Sequence, residues 1–397
     1  MEGQSQNQNT PIEQLRTRFA SLEDPRVERT KLHQLLDIIT IAICAVICGA
    51  DDWSEIELFG HAKYVFFRTF LPLPNGIPSH DTFNRVFARL NPEQFQKCFL
   101  EWVQDMIRTT SGQVKGVKGV VAIDGKRLCG SGSRSRDTPN GKGAIQMVSA
   151  WAQDNSMVLA QVKVDDKSNE ITAIPILLQL LDLSGCIVTI DAMGCQKEIA
   201  GVITDGGGDY VLALKGNHSM LHQDVITTFN EGLDTRFNGI SHQTHETVEK
   251  GHGRIERRRY YLVDDPLYMK YLDQQEKWSG LHSIGMVEAE REIEGVVSRD
   301  RRYYLCSVRS VREFAHAARG HWGIENGLHW VLDVAFREDH NRTRTDHSAH
   351  NFAILRHIAL NLLNAERSVK VGVKGKRLNC GWDHNYLFKV LLGPSPI

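Results

Sequence analysis

Two aspartates stand where short apolar runs end, a position from which a carboxylate can do chemistry. VVAI (120–123) is followed by Asp124, and CIVTI (186–190) is followed by Asp191. If both runs are strands of one sheet, their ends lie where loops are free to build a site. Two carboxylates without a counter-charge repel each other, and a hard cation such as Mg²⁺, which takes oxygen ligands, relieves that repulsion. The alternative is that each aspartate only caps the turn or helix after its strand.

A third carboxylate, Glu325, lies in the apolar and aromatic segment HWGIENGLHWVLDVAFRED (321–339). His321, Glu325 and His329 recur every four residues, which places them along one face of a helix. An unpartnered carboxylate is costly in such surroundings, so we expect a cationic partner for Glu325. A zinc hydrolase built on these three residues is an alternative, because imidazole and carboxylate are zinc ligands. Their spacing is not HExxH, however, and that site leaves both aspartates unexplained.

The composition bounds the class of protein. A chain of 397 residues is long for one core, so two or three packed units are expected. Its 47 Lys and Arg balance 48 Asp and Glu, which excludes a globally basic coat and leaves any polyanion site local. Eight cysteines without a CxxC pair indicate a reducing cytosol. The longest apolar run (38–50) is shorter than the roughly 20 residues of a membrane span, and no export signal is recognised.

Helical spacing dominates the first hundred residues. Residues 35–43 carry apolar side chains at helical intervals. After a proline-rich break (71–81), Ser79 is the expected N-cap of a helix whose apolar face recurs between residues 83 and 90. Arg85 and Arg89 lie on the outer face of that helix. This pattern fits a helix-turn-helix DNA reader, and it fits an amphipathic bundle helix with solvated arginines equally well.

From Val120 onwards the sequence pattern predicts short strands. Three strand candidates (119–124, 144–151 and 157–164) precede a helix for which Ser168 is the expected cap. Strand, helix and strand then alternate up to residue 215, which predicts an α/β fold with a mixed sheet. The later segments are a β-rich insertion with charged strands (216–310), helices over 311–336 and 351–365, and a basic, glycine-containing stretch from Lys370 to Arg377 that we expect to be a loop.

The order Asp124, Asp191, Glu325, with a β-rich insertion before the glutamate, resembles the DDE transposases with an RNase H-like core. Further motifs resemble one group of these bacterial insertion-sequence enzymes, the H-repeat-associated transposases linked to Rhs loci, over about residues 20 to 390. These motifs are NGIPSHDTFNRV (75–86), AIDGKRL (122–128), KSNEITAIP (167–175), TIDAMGCQKEIA (189–200), GGDYVLALKGN (207–217) and the segment 321–339.

The resemblance implies a fold, a site and partners. Asp124, Asp191 and Glu325 are then the catalytic carboxylates and bind two Mg²⁺ or Mn²⁺ ions. The implied partners are the element's terminal repeats and target DNA, with a homodimer on paired ends, no membrane, and a cytoplasmic, nucleoid-associated location. The implied regions are a disordered tail (1–12), a helical DNA-binding domain (13–110), an RNase H-like core in two parts (115–217 and 311–368), a β-rich insertion (218–310) and a C-terminal tail (369–397).

The chain departs from the broader branch around the glutamate. That branch often carries Tyr, Arg and Lys where this chain has Ala318, His321 and Leu332. His321 replaces the arginine as a phosphate contact or is a hydrogen-bonded core histidine, and Arg319 is a further candidate contact.

Other basic residues are candidate DNA contacts. Lys126 and Lys215 each follow a strand end and are placed to touch phosphate, although solvated lysines are common there. The strand RIERRRYY (254–261) offers guanidinium groups for phosphate and rings for stacking, or is a solvated strand face. Its candidate phosphate contacts are Arg257, Arg258 and Arg259.

The expected function is two-metal phosphoryl transfer on DNA, with strand cleavage at the element ends followed by strand transfer. The non-enzymatic alternative is a transposase-derived protein that only binds DNA through its N-terminal helices.

Overall fold

A computed structural model describes residues 10–110, 119–133, 143–165, 168–251 and 254–393. Most of the expected tail (1–12) lies outside these ranges, and the first helix begins within it, at Pro11. Six helices make up the N-terminal region, and within the described residues no helix is long and apolar enough to cross a membrane. They are α1 (Pro11–Phe19), α2 (Leu35–Ile47), α3 (Trp53–Ala62), α4 (Tyr64–Phe67), α5 (His80–Arg89) and α6 (Pro92–Thr110).

Helix α5 begins as the sequence predicts. The Ser79 hydroxyl accepts a hydrogen bond from the Thr82 amide at 3.4 Å, which satisfies a free N–H of the first turn. Phe83, Val86 and Phe87 are fully buried, because they share the face that packs on the core.

One mixed sheet of nine strands runs through the rest of the molecule, in the order β3-β2-β1-β4-β5-β9-β8-β7-β6. β1 pairs in parallel with β4, and β4 with β5, whereas β2 and β3 are antiparallel neighbours of β1. The predicted α/β fold, with a mixed sheet and a helical N-terminal region, is confirmed. The first five strands are β1 (Val120–Leu128), β2 (Ile145–Ala152), β3 (Met157–Lys163), β4 (Ile187–Ile190) and β5 (Asp209–Leu214).

The charged segment between residues 216 and 310 extends this same sheet. β9 pairs antiparallel with β5, so the insertion strands continue the core sheet edge to edge. Helices α9 (Ser219–Asp234) and α10 (Pro266–Lys270) also belong to this segment. Its strands are β6 (His242–Gly251), β7 (Arg254–Val263), β8 (Ser283–Ile293) and β9 (Val296–Cys306).

Helices cover the core strands. α14 is almost entirely buried and packs against α2, α5 and β3, which joins the N-terminal helices to the sheet. The division of the chain into domains stays a prediction. The helices are α7 (Glu170–Gln179), α8 (Lys197–Asp205), α11 (Val311–Gly320), α12 (Trp322–Ile324), a π-helical turn (Glu325–His329), α13 (Trp330–Ala335) and α14 (Ser348–Ala365).

The prediction of a loop from Lys370 to Arg377 is wrong from residue 373 onwards, where a helix begins. Helix α15 spans Val373–Trp382, and α16 spans His384–Leu392. Arg377 is buried, donates to the Val46 carbonyl at the end of α2 at 2.8 Å, and packs over the Phe336 ring. A basic residue in this segment therefore binds helix-end carbonyls instead of facing water.

Candidate active site

Asp124 and Asp191 come together at the edge of the sheet where β4 ends. β1 and β4 are adjacent and parallel, with Ile123 paired to Ile190, and the residue after each of these is an aspartate. This register confirms the prediction that the two strands lie side by side. β1 continues to Leu128, but its parallel pairing with β4 ends at Ile123, so Asp124 lies level with the carboxyl end of β4.

Glu325 is carried to that edge by the helical segment from α11 to α13. The segment packs closely on β1 and β2: a Cβ on Gly327 would lie 2.7 Å from the Trp151 ring, and one on Gly323 would overlap the Gln153 side chain. The rigid Trp151 ring leaves no room for a side chain at position 327, so glycine is needed there. Glu325 begins a π-helical turn that ends at His329, a local widening that is frequent at functional sites.

A cavity of about 670 Å³ is lined by all three carboxylates, Asp124, Asp191 and Glu325. Lys215 and His321 also line it. Side chains from three separated stretches of the chain thus face one space.

Within this cavity the three carboxylates are not equivalent. Ligand atoms of Asp124, Glu325 and His329 all lie within 4.8 Å of one another, a spacing that suits a metal ion. His329 Nδ1 lies 3.4 Å from Asp124 Oδ2 and 3.2 Å from Glu325 Oε2. Asp191 is outside this group, and its Oδ1 accepts from the backbone amides of Met193 and Gly194 at 3.1 and 3.2 Å. One oxygen of Asp191 is therefore oriented by its own turn.

The electrostatics of the site favour a bound cation. Burial raises the pKa of Asp124 to about 7, and the charges of Asp191, Glu170 and Glu325 act in the same direction. Among the described residues, no Lys or Arg lies within 4 Å of the Asp124, Asp191 or Glu325 carboxylates. Burial also lowers the pKa of His329, so this imidazole is a poor permanent counter-ion.

Comparison with known proteins decides the family. A model described as the transposase DDE domain matches residues 115–362, and its associated domain model, DDE_Tnp_1-associated, matches residues 16–103. The chain belongs to the DDE transposase family. Membership supports the nuclease and transposase enzyme class and implies a divalent metal.

Relatives of this DDE transposase family member cover nearly its whole length. "Putative transposase YncI" of Escherichia coli O157:H7 is 39% identical over 97% of this chain and 96% of its own. "H repeat-associated putative transposase YhhI" of Escherichia coli K12 is 40% identical over 91% and 93%, which confirms the H-repeat-associated group. A solved piggyBac transposase synaptic complex with hairpin DNA covers 98% of this chain and 79% of its own, at 10% identity and a TM-score of 0.36, too low to support an argument.

Lys126, a predicted DNA contact of this transposase family member, is engaged inside the protein. Its ammonium pairs with Asp333 and, at 3.1 Å, with the buried Glu338, and it donates to the His329 carbonyl at 3.3 Å. Only 11% of its side chain is exposed. These contacts tie β1 to the helical segment of Glu325 and favour a structural role over phosphate binding.

The predicted arginine contacts on β7 are paired with glutamates of the insertion. Arg257 and Arg259 both contact Glu246, at 3.6 and 2.9 Å. Arg258 contacts Glu249 at 3.2 Å, and Arg319 contacts the same glutamate at 3.4 Å. Their positive charge is thus largely balanced locally.

The remaining predicted contacts differ in exposure. Arg85 and Arg89 are exposed on α5, where Arg85 Nε donates to the Asp81 carbonyl at 3.1 Å. Lys215 is exposed where β5 ends. His321 is half-buried, and its partial desolvation lowers its pKa, while its Nδ1 lies 3.2 Å from the Thr189 hydroxyl.

The zinc interpretation requires His321, Glu325 and His329 around one ion. The structure groups Glu325 and His329 with Asp124, and His321 is not part of that group in the described chain. His321 instead lies beside the Thr189 hydroxyl, 3.2 Å from its Nδ1.

Sequence reasoning missed two residues near the site. One is His329 in its contact with Asp124, which the regular helix spacing conceals. The other is Glu170, whose charge acts on Asp124 and which lies in the motif KSNEITAIP (167–175). That motif was a signal of resemblance without an assigned role.

Proposed function

We propose that this protein is a DNA transposase that cuts DNA strands at the ends of its element and joins them to target DNA. The observation that carries the proposal is the convergence of Asp124, Asp191 and Glu325 on one cavity, with no Lys or Arg of the described chain paired to them. The implied DNA partner agrees with membership of the DDE transposase family.

The residues present fit a divalent metal site. Asp124, Asp191 and Glu325 offer hard oxygen ligands, and burial together with the neighbouring carboxylates raises the pKa of Asp124. We propose that these carboxylates hold two Mg²⁺ or Mn²⁺ ions. When bound, such ions activate water and stabilise the leaving oxygen of a phosphodiester.

The protein's own part in the reaction is to hold and orient. A water oxygen bonds to phosphorus while the bond to the 3′ oxygen breaks, which frees a 3′-hydroxyl at the element end. That hydroxyl then attacks a phosphodiester of target DNA in the same cavity. The 3′ oxygen of the element end bonds to phosphorus while the target's own bond to its 3′ oxygen breaks, and this oxygen leaves as a new 3′-hydroxyl. No covalent bond between the protein and DNA is required, because both steps exchange one phosphodiester oxygen for another.

DNA is proposed to contact cations that the fold leaves available. Lys215 faces the cavity, and Arg85 and Arg89 project from α5. Arg257, Arg258, Arg259 and Arg319 would first have to exchange their glutamate partners for phosphate. Since two ends must be joined, we propose that two copies of the chain act together on DNA.

The test is cleavage of DNA that carries the flanking element ends, in the presence of Mg²⁺. Asp191→Asn should remove nearly all nicking at the element boundary while DNA binding is retained. Asp205→Asn, an exposed aspartate at the end of α8, is the matched control and should cut as wild type does.

Three results would reject the assignment. Retained cleavage by Asp191→Asn would remove that residue from the chemistry. Wild-type protein that binds the ends and never nicks them would favour the idle DNA-binding alternative, and tightly held stoichiometric zinc would favour a hydrolase.

A further inference from the structure

The motif KSNEITAIP (167–175) contains a glutamate, Glu170, that the proposed function does not use. Glu170 is the first residue of α7, which packs against β2 and β3. Its side chain is half-buried. The position is thus fixed by a helix that rests on the two strands next to β1.

The Glu170 carboxyl group lies directly against the backbone of the residue after Asp124. A Cβ built on Gly125 would overlap the carboxyl carbon and oxygens of Glu170. Gln146 of β2 donates its side-chain amide to Glu170 Oε1, which orients the group. Glycine at position 125 therefore leaves a cradle that the carboxyl group of Glu170 fills.

This placement adds a negative charge to a site that already has several. The Glu170 carboxyl group lies against the residue that follows Asp124, and Asp124 in turn is grouped with Glu325 and His329. Within the described part of the chain, no Lys or Arg lies within 4 Å of the Glu170 carboxylate. A hydrogen-bonding role alone would be met by a neutral glutamine, which would also avoid this repulsion.

We propose that Glu170 is a fourth carboxylate of the metal site and helps Asp124 and Asp191 to hold a divalent cation. The inference rests on the proposed function, because it assumes that this cavity binds a metal. It extends the site from the three residues recognised in the sequence to a fourth on a helix that covers the core sheet.

The test measures Mn²⁺ binding to the full chain, with free Mn²⁺ followed by electron paramagnetic resonance. Glu170→Gln should weaken Mn²⁺ binding about tenfold or more, the loss typical when a supporting group of a metal site is removed. Metal-free thermal stability should not fall, because glutamine can still accept from Gln146 and removes a repelling charge. Glu93→Gln, which removes a first-turn charge from the distant helix α6, is the control and should bind as wild type does.

Gly125→Ala tests the same contact without changing any charge. The added methyl group should displace the flexible end of Glu170 and reproduce the weaker Mn²⁺ binding of Glu170→Gln. Because both changes act through one contact, the double variant should bind no more weakly than Glu170→Gln alone.

Asp124→Asn separates the inference from the proposed function. If this change abolishes Mn²⁺ binding while Glu170→Gln and Gly125→Ala bind as wild type, the fourth carboxylate is rejected and the proposed metal site stands. If Asp124→Asn binds Mn²⁺ as wild type does, the proposed metal site fails, and the role of Glu170 fails with it.

Discussion

The metal cavity and the insertion sheet use the same charged residue types in opposite ways. On β6 to β9, buried Glu256 contacts Arg254 at 3.1 Å and Arg291 at 3.0 Å, and Glu288 contacts Arg301 at 2.8 Å. At the cavity, carboxylates gather with no described guanidinium or ammonium within 4 Å. Antiparallel pairing places opposite charges across neighbouring strands, whereas the carboxyl edge of β4 brings like charges together.

The difference indicates which cluster of carboxylates is suited to bind a cation. The insertion carboxylates are neutralised by side chains of the same sheet, so they need no other partner. Repulsion between the cavity carboxylates destabilises the folded state unless a cation lies between them. Counting acidic residues would not separate the two regions, because the separation lies in what each carboxylate touches.

The largest expected effect is on activity, at Glu325. Glu325→Gln should lower Mg²⁺-dependent nicking of element ends by about a thousandfold or more, because a carboxylate that holds metal cannot be replaced by an amide. Glu290→Gln, on the insertion sheet and paired with Arg299 at 3.0 Å, should nick at close to the wild-type rate. Equal losses in the two variants would erase the proposed difference between the regions.

The next effect is on folding, in the insertion. Glu256 is 5% exposed, so Glu256→Gln leaves guanidinium groups without their shared partner and should lower the free energy of unfolding by about 2 to 4 kcal/mol. In Glu246 46% of the side chain is exposed, so Glu246→Gln should lower the free energy of unfolding by less than about 1 kcal/mol. Urea unfolding measures both, and a larger loss for Glu246→Gln would contradict this ranking.

A gain in stability is expected at the cavity instead. The pKa of Asp124 in the folded protein is raised to about 7, above its unfolded value of about 4, so the folded state loses stability as pH rises from about 4 to 7. Without metal, the free energy of unfolding of Asp124→Asn should therefore exceed that of wild type by about 1 to 3 kcal/mol above pH 7. Near pH 4 the two proteins should differ little. Added Mg²⁺ should stabilise wild type and not the variant. A loss of stability at every pH would contradict the repulsion.

The smallest effect concerns DNA affinity. Lys215→Gln should reduce the slope of log affinity against log salt by about one, since one phosphate contact is lost. Arg257→Gln should leave the slope nearly unchanged, because Arg257 is already paired with Glu246. The reverse order would move the DNA contact from the cavity rim to the insertion sheet.

Much of the fold was predictable because its signals are local. The strand before Asp191 is a short apolar run, and Ser79 caps α5 four residues before its first buried ring, Phe83. The segment after Lys370 was not predictable in this way. The partners of Arg377 are Val46 and Phe336, far away in the chain, and the local basic pattern resembled a loop.

The candidate site was predictable in its residue types and less so in its neighbours. Asp124 and Asp191 are recognisable because each comes directly after an apolar run, and Glu325 because it stands among aromatic residues. The contact of His329 with Asp124 is not recognisable, because it joins a helix to a strand far away in the chain. Glu170 escaped because its contact with Gly125 joins a helix to a strand about 45 residues earlier.

The sequence by itself determined the order of strands and helices, the family and the three carboxylates at the centre of the proposal. Only the tertiary structure decided which charged side chains form ion pairs within the protein. Lys126 is paired with Glu338, and Arg257 and Arg259 share Glu246. The physical reason is that a charge interacts with what lies within a few ångströms. Strand register and helix packing set those neighbours, and both join residues that the linear sequence keeps apart.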